Sequence, residues 1–180
     1  CSNSQRILIS ALATMGYVIS KFAFLPPEPT YDAFLRNLFF VESEAGPIPA
    51  VFIPSDGAQL TILYCHGNAE DLGMLRGFGE SLVKFCNVNF VGFDYPGYGL
   101  TDHVHPNERR TIQAVQAVWK HLVYERGIPP SSIILYGRSL GSGPAVYLAA
   151  HLCADWAEIL PHWQYSPMSL GAQKRDGGDD

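Results

Sequence analysis

At 180 residues, with 47% apolar side chains, the chain is long enough for one domain with a continuous hydrophobic core. Its 12 basic and 17 acidic residues leave a formal net charge of −5, and the basic ones are scattered apart from Arg109 and Arg110, so nothing attracts a phosphate backbone and nucleic acid is excluded as a partner. The four cysteines, at 1, 65, 86 and 153, show neither Cys-x-x-Cys spacing nor a paired-histidine pattern; this excludes a disulfide framework and a metal site, and Cys65, Cys86 and Cys153 read as small core residues.

The chain begins with Cys1 rather than Met, which reads as a start that is missing or processed. Residues 7–25 form a largely apolar run whose only charge is Lys21 and which stops at Pro26-Pro27. A bilayer span takes about twenty apolar residues, so this run suffices only if Lys21 snorkels at one end. Two readings stand: a membrane-associating segment, whether anchor or signal remnant, and a helix packed on the domain. Cys1 beside such a segment suits S-acylation.

Pro26 to Pro29 separates this part from a domain beginning near residue 31, because clustered prolines lack donors and favour extended backbone. The expected organisation is an N-terminal apolar segment and linker over 1–30, a partial domain over 31–165, and a disordered acidic tail over 166–180. Residues 37–42 and 48–53 predict a hairpin around Ala45-Gly46-Pro47. Strands are expected over 60–65, 88–93 and 132–136. Between them, Leu72, Leu75, Phe78, Leu82 and Phe85 mark one face of a helix over 69–86, weakened by three glycines. A second helix is predicted over 108–126 on Ile112, Val115, Val118, Trp119 and Leu122, with Gly127 as its stop, and a third over 142–152. This alternation predicts an α/β fold with a mainly parallel sheet and flanking helices. After residue 152 the rhythm is lost, so the sheet is expected to be truncated after that last helix, with its final strand an exposed edge.

Chemistry concentrates where strands end. Gly137-Arg-Ser139-Leu-Gly141 follows a strand and opens a helix, the context in which a tight turn thrusts a serine hydroxyl out at the top of a sheet. Gly137, Gly141 and Gly143 would let strand and helix approach, and the helix start near Leu140 aims N–H groups at the same place. His66-Gly67-Asn68-Ala69 ends the 60–65 strand; there the N–H of Asn68, or of Ala69, can face that of Leu140 across a carbonyl oxygen, making an oxyanion hole. Asp94-Tyr-Pro-Gly-Tyr-Gly99 ends the next strand and shapes a pocket wall. His66 lies at the oxyanion turn and reads as a brace rather than a base.

The order Leu-Tyr-Cys-His-Gly-Asn-Ala, Phe-Asp-Tyr-Pro-Gly-Tyr-Gly and Ile-Ile-Leu-Tyr-Gly-Arg-Ser-Leu-Gly resembles the α/β-hydrolase superfamily of serine hydrolases. Within it the chain is most similar to the membrane-associated α/β-hydrolase-domain proteins that include protein depalmitoylases. The resemblance covers about residues 21–152, including Lys21 to Tyr31. It implies Ser139 as nucleophile, an oxyanion hole from Asn68 and Leu140, motif support from His66, Gly67, Gly137 and Gly141, and no cofactor. It implies an acyl ester or thioester substrate, an acylated protein among them, and a location at the cytoplasmic face of a membrane or in the cytoplasm.

The pattern also demands an aspartate and then a histidine after later strands. Neither is recognisable here: Ile159-Leu160 and Tyr165-Ser-Pro167 only faintly fit a next strand and turn, and Asp155, His162 and Asp176 to Asp180 sit in no triad context. His103 and His105 are the only stand-ins and read as exposed loop. Two expectations therefore stand side by side: the chain comes from a serine hydrolase of esters or thioesters, or it is an inactive fragment that binds a partner. A phosphate-binding reading of 137–143 lacks the Lys-Ser/Thr ending of a P-loop.

Overall fold

The computed structural model describes residues 24–154. Most of the apolar segment over 7–25, Cys1 and the tail beyond 154 lie outside the described residues.

The expected hairpin forms from β1 (Leu38–Val41) and β2 (Ile48–Ile53), paired antiparallel with Leu38 opposite Val51 and Val41 opposite Ile48. Gly46, at φ +99°, carries the chain around. Next come β3 (Thr61–Cys65), α1 (Leu72–Cys86), β4 (Asn89–Phe93), α2 (Glu108–Lys120), β5 (Ile133–Gly137) and α3 (Ser142–Ala154). The sheet order is β1-β2-β4-β3-β5. β4, β3 and β5 run parallel, and β2 is antiparallel to both β1 and β4, so four of the five strands point one way.

Period-two alternation along each strand feeds two cores. Leu63, Cys65, Val91 and Phe93 face one side, where α2 (Ala114, Val115, Val118) and α3 (Ala145, Leu148) cover them. Ile62, Tyr64 and Phe90 face the other, under Leu72 and Leu75 of α1. Phe90 and Phe93 are fully buried, each worth about 1.5–3 kcal/mol of transfer from water.

Three details depart from expectation. Helix α1 starts at Leu72 rather than 69, because Asp71 caps it by accepting the Met74 N–H (3.1 Å). Its buried face is Leu72, Leu75 and Gly79, while Phe85 is 78% exposed. Cys86, expected in the core, is exposed at the end of the same helix, whereas Cys65 is buried. Finally, α2 gives way to a π-helical turn over His121–Glu125 before the chain leaves at Arg126.

Register sets the site. Cys65 lies opposite Gly137 and Tyr64 opposite Gly92, so the residues that follow, His66, Arg138 and Asp94, leave the sheet side by side at its C-terminal rim. That rim is where open α/β sheets keep their sites.

Candidate functional site

Two tight corners meet at this rim. The first runs from Gly137 through a 3₁₀ turn, Ser139–Gly141, into α3. Ser139 has φ +50°, a conformation that ordinary side chains avoid, and it is exposed. The second is His66 to Glu70, with Ala69 at φ +56°. Arg138 N–H donates to the Cys65 carbonyl (3.0 Å), which extends the β3–β5 ladder into the corners and fixes them against each other.

Their closeness explains the glycines. A β-carbon on Gly141 would lie 2.1 Å from Cys65 O and 2.5 Å from His66 O, and one on Gly137 would lie 2.6 Å from Gly141 O. Nothing lies within 4 Å of such an atom at Gly143, so the expectation that Gly143 also serves close approach is corrected: it stands at the open face of α3. A β-carbon on Gly67 would sit 3.6 Å from Arg138 O, so the first and second corners are nearly in contact there. Glu70 joins them from outside, accepting the Gly67 N–H (2.8 Å) with one oxygen and pairing Arg138 with the other.

From inside, the second corner rests on buried polar groups. His66 is 0% exposed; its Nδ1–H donates to the Gly67 carbonyl (2.8 Å), which fixes the tautomer and leaves Nε2 without a partner. Nε2 stands 3.6 Å from Asp94 Oδ1, beyond hydrogen-bond reach. An orphaned buried nitrogen costs about 1–3 kcal/mol. Burial pushes the His66 imidazole down to about 4 and the Asp94 carboxyl up to about 8. Both shifts favour neutral groups, so this contact is not an ion pair at neutral pH. Asp94 Oδ1 accepts the Leu72 N–H (3.0 Å), and Oδ2 accepts the Tyr31 hydroxyl.

The Asp94 to Gly99 turn is not a pocket wall. All six of its residues are buried, and it acts on the corner from behind. Tyr95 donates its hydroxyl to the His66 carbonyl (2.8 Å), and Tyr98 donates to Asn68 Oδ1 (2.8 Å). Desolvation pushes both phenols up, so they stay donors at any ordinary pH.

The structure therefore gathers His66, Gly67, Asn68, Gly137, Ser139, Leu140 and Gly141 at one rim. The Ala69 N–H contacts Asn68 Oδ1 (3.1 Å). Leu140 is the second residue of a helical turn, a position whose N–H has no intrahelical acceptor. His103 and His105 belong to the loop between β4 and α2: His103 faces Asp102 (3.9 Å), and His105 turns Nδ1 to the Pro106 carbonyl (2.9 Å). Among the described residues no side chain hydrogen-bonds Ser139 Oγ. Asp155, His162 and Asp176 to Asp180 lie outside the described residues. Sequence reasoning missed Tyr31, Glu70, Asp71 and Arg138; the available signal was Asp94, a lone carboxylate directly after an apolar strand. Among the described residues no cluster of His, Cys, Asp and Glu is placed to hold a metal ion. A cleft of about 360 Å³ between the hairpin and α2, lined by Glu44, Gln113, His121 and Tyr124 among others, includes no residue of either corner.

No protein-family model matches the chain. It is 32% identical over 184 residues to α/β hydrolase domain-containing protein 17B of Homo sapiens, an alignment that covers 87% of this chain and 62% of the relative. It is 32% identical over 179 residues to α/β hydrolase domain-containing protein aho-3 of Caenorhabditis elegans, covering 86% of this chain and 52% of that protein. The chain thus spans about half to three-fifths of these relatives' length. Among solved structures, an alpha-beta serine hydrolase homologue from Coxiella burnetii matches with a TM-score of 0.52 at 18% identity, covering 66% of this chain and 59% of that one. A hyperthermophilic esterase from Pyrobaculum calidifontis matches with a TM-score of 0.52 at 16% identity, covering 80% and 45%. At such identities the structural likeness is one of fold.

Proposed function

We infer that this chain, which has the α/β-hydrolase fold and is similar over 87% of its length to an α/β-hydrolase domain-containing protein, presents Ser139 as the nucleophile of a serine hydrolase acting on esters or thioesters. One observation carries the reading: Ser139 is an exposed serine held at φ +50° between a parallel strand and a helix, beside the corner that follows the neighbouring strand. A strained backbone at an exposed hydroxyl is hard to account for by packing alone.

In this reading Ser139 Oγ forms a bond to the acyl carbon while its proton passes to a base, and the N–H groups of Asn68 and Leu140 receive the developing oxyanion. The bond to the alkoxide or thiolate then breaks, and that leaving group takes up the proton. Water resolves the acyl-enzyme to a free acid and restores Ser139. The base and the aspartate that orients it come from residues other than those described. No described helix is long and apolar enough to cross a membrane. An acyl-cysteine of a membrane-bound protein is the substrate that residues 7–25 would favour, by holding the site near acylated chains.

A second reading, a catalytically inactive fragment or binding module, draws support from the absence of a hydrogen-bonded base on Ser139 among the described residues. A fluorophosphonate probe separates the two. The expected outcome is covalent labelling of the 180-residue chain that vanishes in Ser139→Ala. No labelling of a chain that unfolds cooperatively would favour the binding role.

A further inference from the structure

The segment before the sheet is tied to the rim at three points, one on the second corner and two on the carboxylates beside it. Leu25 N–H donates to Asn68 Oδ1 (2.8 Å). Thr30 N–H donates to Asp71 Oδ2 (2.6 Å), and the Thr30 hydroxyl meets the other oxygen. The Tyr31 hydroxyl donates to Asp94 Oδ2. Two glycines make room for this strap. A β-carbon on Gly73 would stand 2.3 Å from Thr30 Oγ1. On Gly99, at φ +51°, it would stand 2.0 Å from Asp94 Oδ2 and 2.6 Å from the Tyr31 hydroxyl oxygen.

Asp94 is the point where the strap and the corner meet. The terminal torsion of an aspartate is soft and roughly two-fold, so its carboxyl plane is set by what holds the two oxygens. Leu72 N–H holds Oδ1 and Tyr31 holds Oδ2, and in that orientation Oδ1 faces the orphaned Nε2 of His66. The opposite nitrogen of His66 holds the Gly67 carbonyl. From the strap to the Gly67 carbonyl the polar groups are therefore hydrogen-bonded at every step but one, the 3.6 Å approach of Asp94 Oδ1 to His66 Nε2.

We propose that Tyr31 is a positioning residue, whose hydroxyl, acting through Asp94, sets the orientation of His66 and with it the Gly67–Asn68 peptide at the candidate oxyanion corner. The inference rests on reading that corner as part of a hydrolase site.

The groups around this line are few. Asp94 is faced by Tyr31 from the strap, Asp71 from the start of α1, His66 from the end of β3 and Tyr95 from its own turn. His66 is packed by Tyr95 at 4.2 Å and Tyr98 at 5.3 Å between ring centroids, with the Asp71 charge also acting on it. Among them Asp94, pushed up to about 8, changes charge nearest neutrality. The Tyr31 hydrogen bond favours its charged form, so losing that bond moves its titration to higher pH.

The test compares the full 180-residue chain with Tyr31→Phe and Thr30→Val. The readouts are aspartate carboxyl ¹³C titrations, histidine ring ¹⁵N shifts and the rate of fluorophosphonate labelling at Ser139. Tyr31→Phe is expected to raise the pH at which Asp94 titrates, to move the His66 ring shifts and to slow labelling about fivefold, the scale of one hydrogen bond. Thr30→Val removes a strap contact that does not touch Asp94 and should leave the titration in place. If Ser139 labels but Tyr31→Phe changes neither the Asp94 titration nor the His66 shifts, the positioning role is overturned and the hydrolase reading survives. If Ser139 never labels but both NMR signatures move, the hydrolase reading falls while the link from Tyr31 to His66 stands.

Discussion

Asp94 and His66 show how much two residues can decide at this rim. Each is fully buried, and burial moves them in opposite directions toward neutrality. Asp94 has its native carboxyl raised from 3.8 to about 8, so its contribution to stability is complete below 3.8 and is lost as pH rises through about 8. His66 has its imidazole lowered from 6.5 to about 4, so its contribution is complete above 6.5 and is lost as pH falls through about 4. The two oppose each other between 4 and 6.5, and only Asp94 acts from there up to about 8. Over that upper window one proton is lost from the unfolded chain but held by the native one. At about 1.4 kcal/mol per pH unit, stability should fall by about 2 kcal/mol. Denaturant titrations at about pH 6.5 and 8 should show this fall, and Asp94→Asn should flatten it. An equal fall in the variant would assign the loss to another group.

At the scale of elements, α1 corrects the rule that glycines weaken a helix. A β-carbon on Gly79 would lie 2.6 Å from Phe90, so this glycine lets the helix settle onto β4, and its place in the buried face is what a bulky residue would otherwise hold. Gly77 has nothing within 4 Å. Gly79→Ala is therefore expected to destabilise by about 1–3 kcal/mol through overpacking. Gly77→Ala should stabilise by about 0.5–1 kcal/mol, because only helix propensity changes. Thermal melts of the two variants moving in the same direction would contradict this account. The π-helical turn after α2 has a similar tertiary origin. His121 stacks on Phe39 at 5.2 Å, and the Arg126 guanidinium lies 4.4 Å from the Phe39 ring centroid and 4.7 Å from that of Phe52. An unbroken helix to 126 was the sequence expectation, and the hairpin beneath it is the neighbour that the altered turn serves.

For the molecule as a whole, the open feature is β5. Among the described residues it pairs only with β3, and Ile134 and Tyr136 on the α1 side are 40% and 45% exposed. An apolar edge strand of this kind is a template for pairing with another chain. Concentration-dependent association of the 180-residue chain is therefore expected in light scattering, and Ile134→Lys should lessen it. A chain that stays monomeric at high concentration would show that the edge is covered.

Sequence alone determined the strands, the helices and the two corners, since period and turn chemistry are local: Gly137, Ser139 and Gly141 announce a tight turn, and His66 to Ala69 another. What it could not determine is which residues stand behind those corners. Tyr31 reaches Asp94 across 63 positions and Arg138 reaches Glu70 across 68, and such pairings leave no periodic trace. Only the stacking of β4, β3 and β5 in parallel register decided them, because that register brings three strand ends to one rim and burial then gives each polar group there a single set of partners.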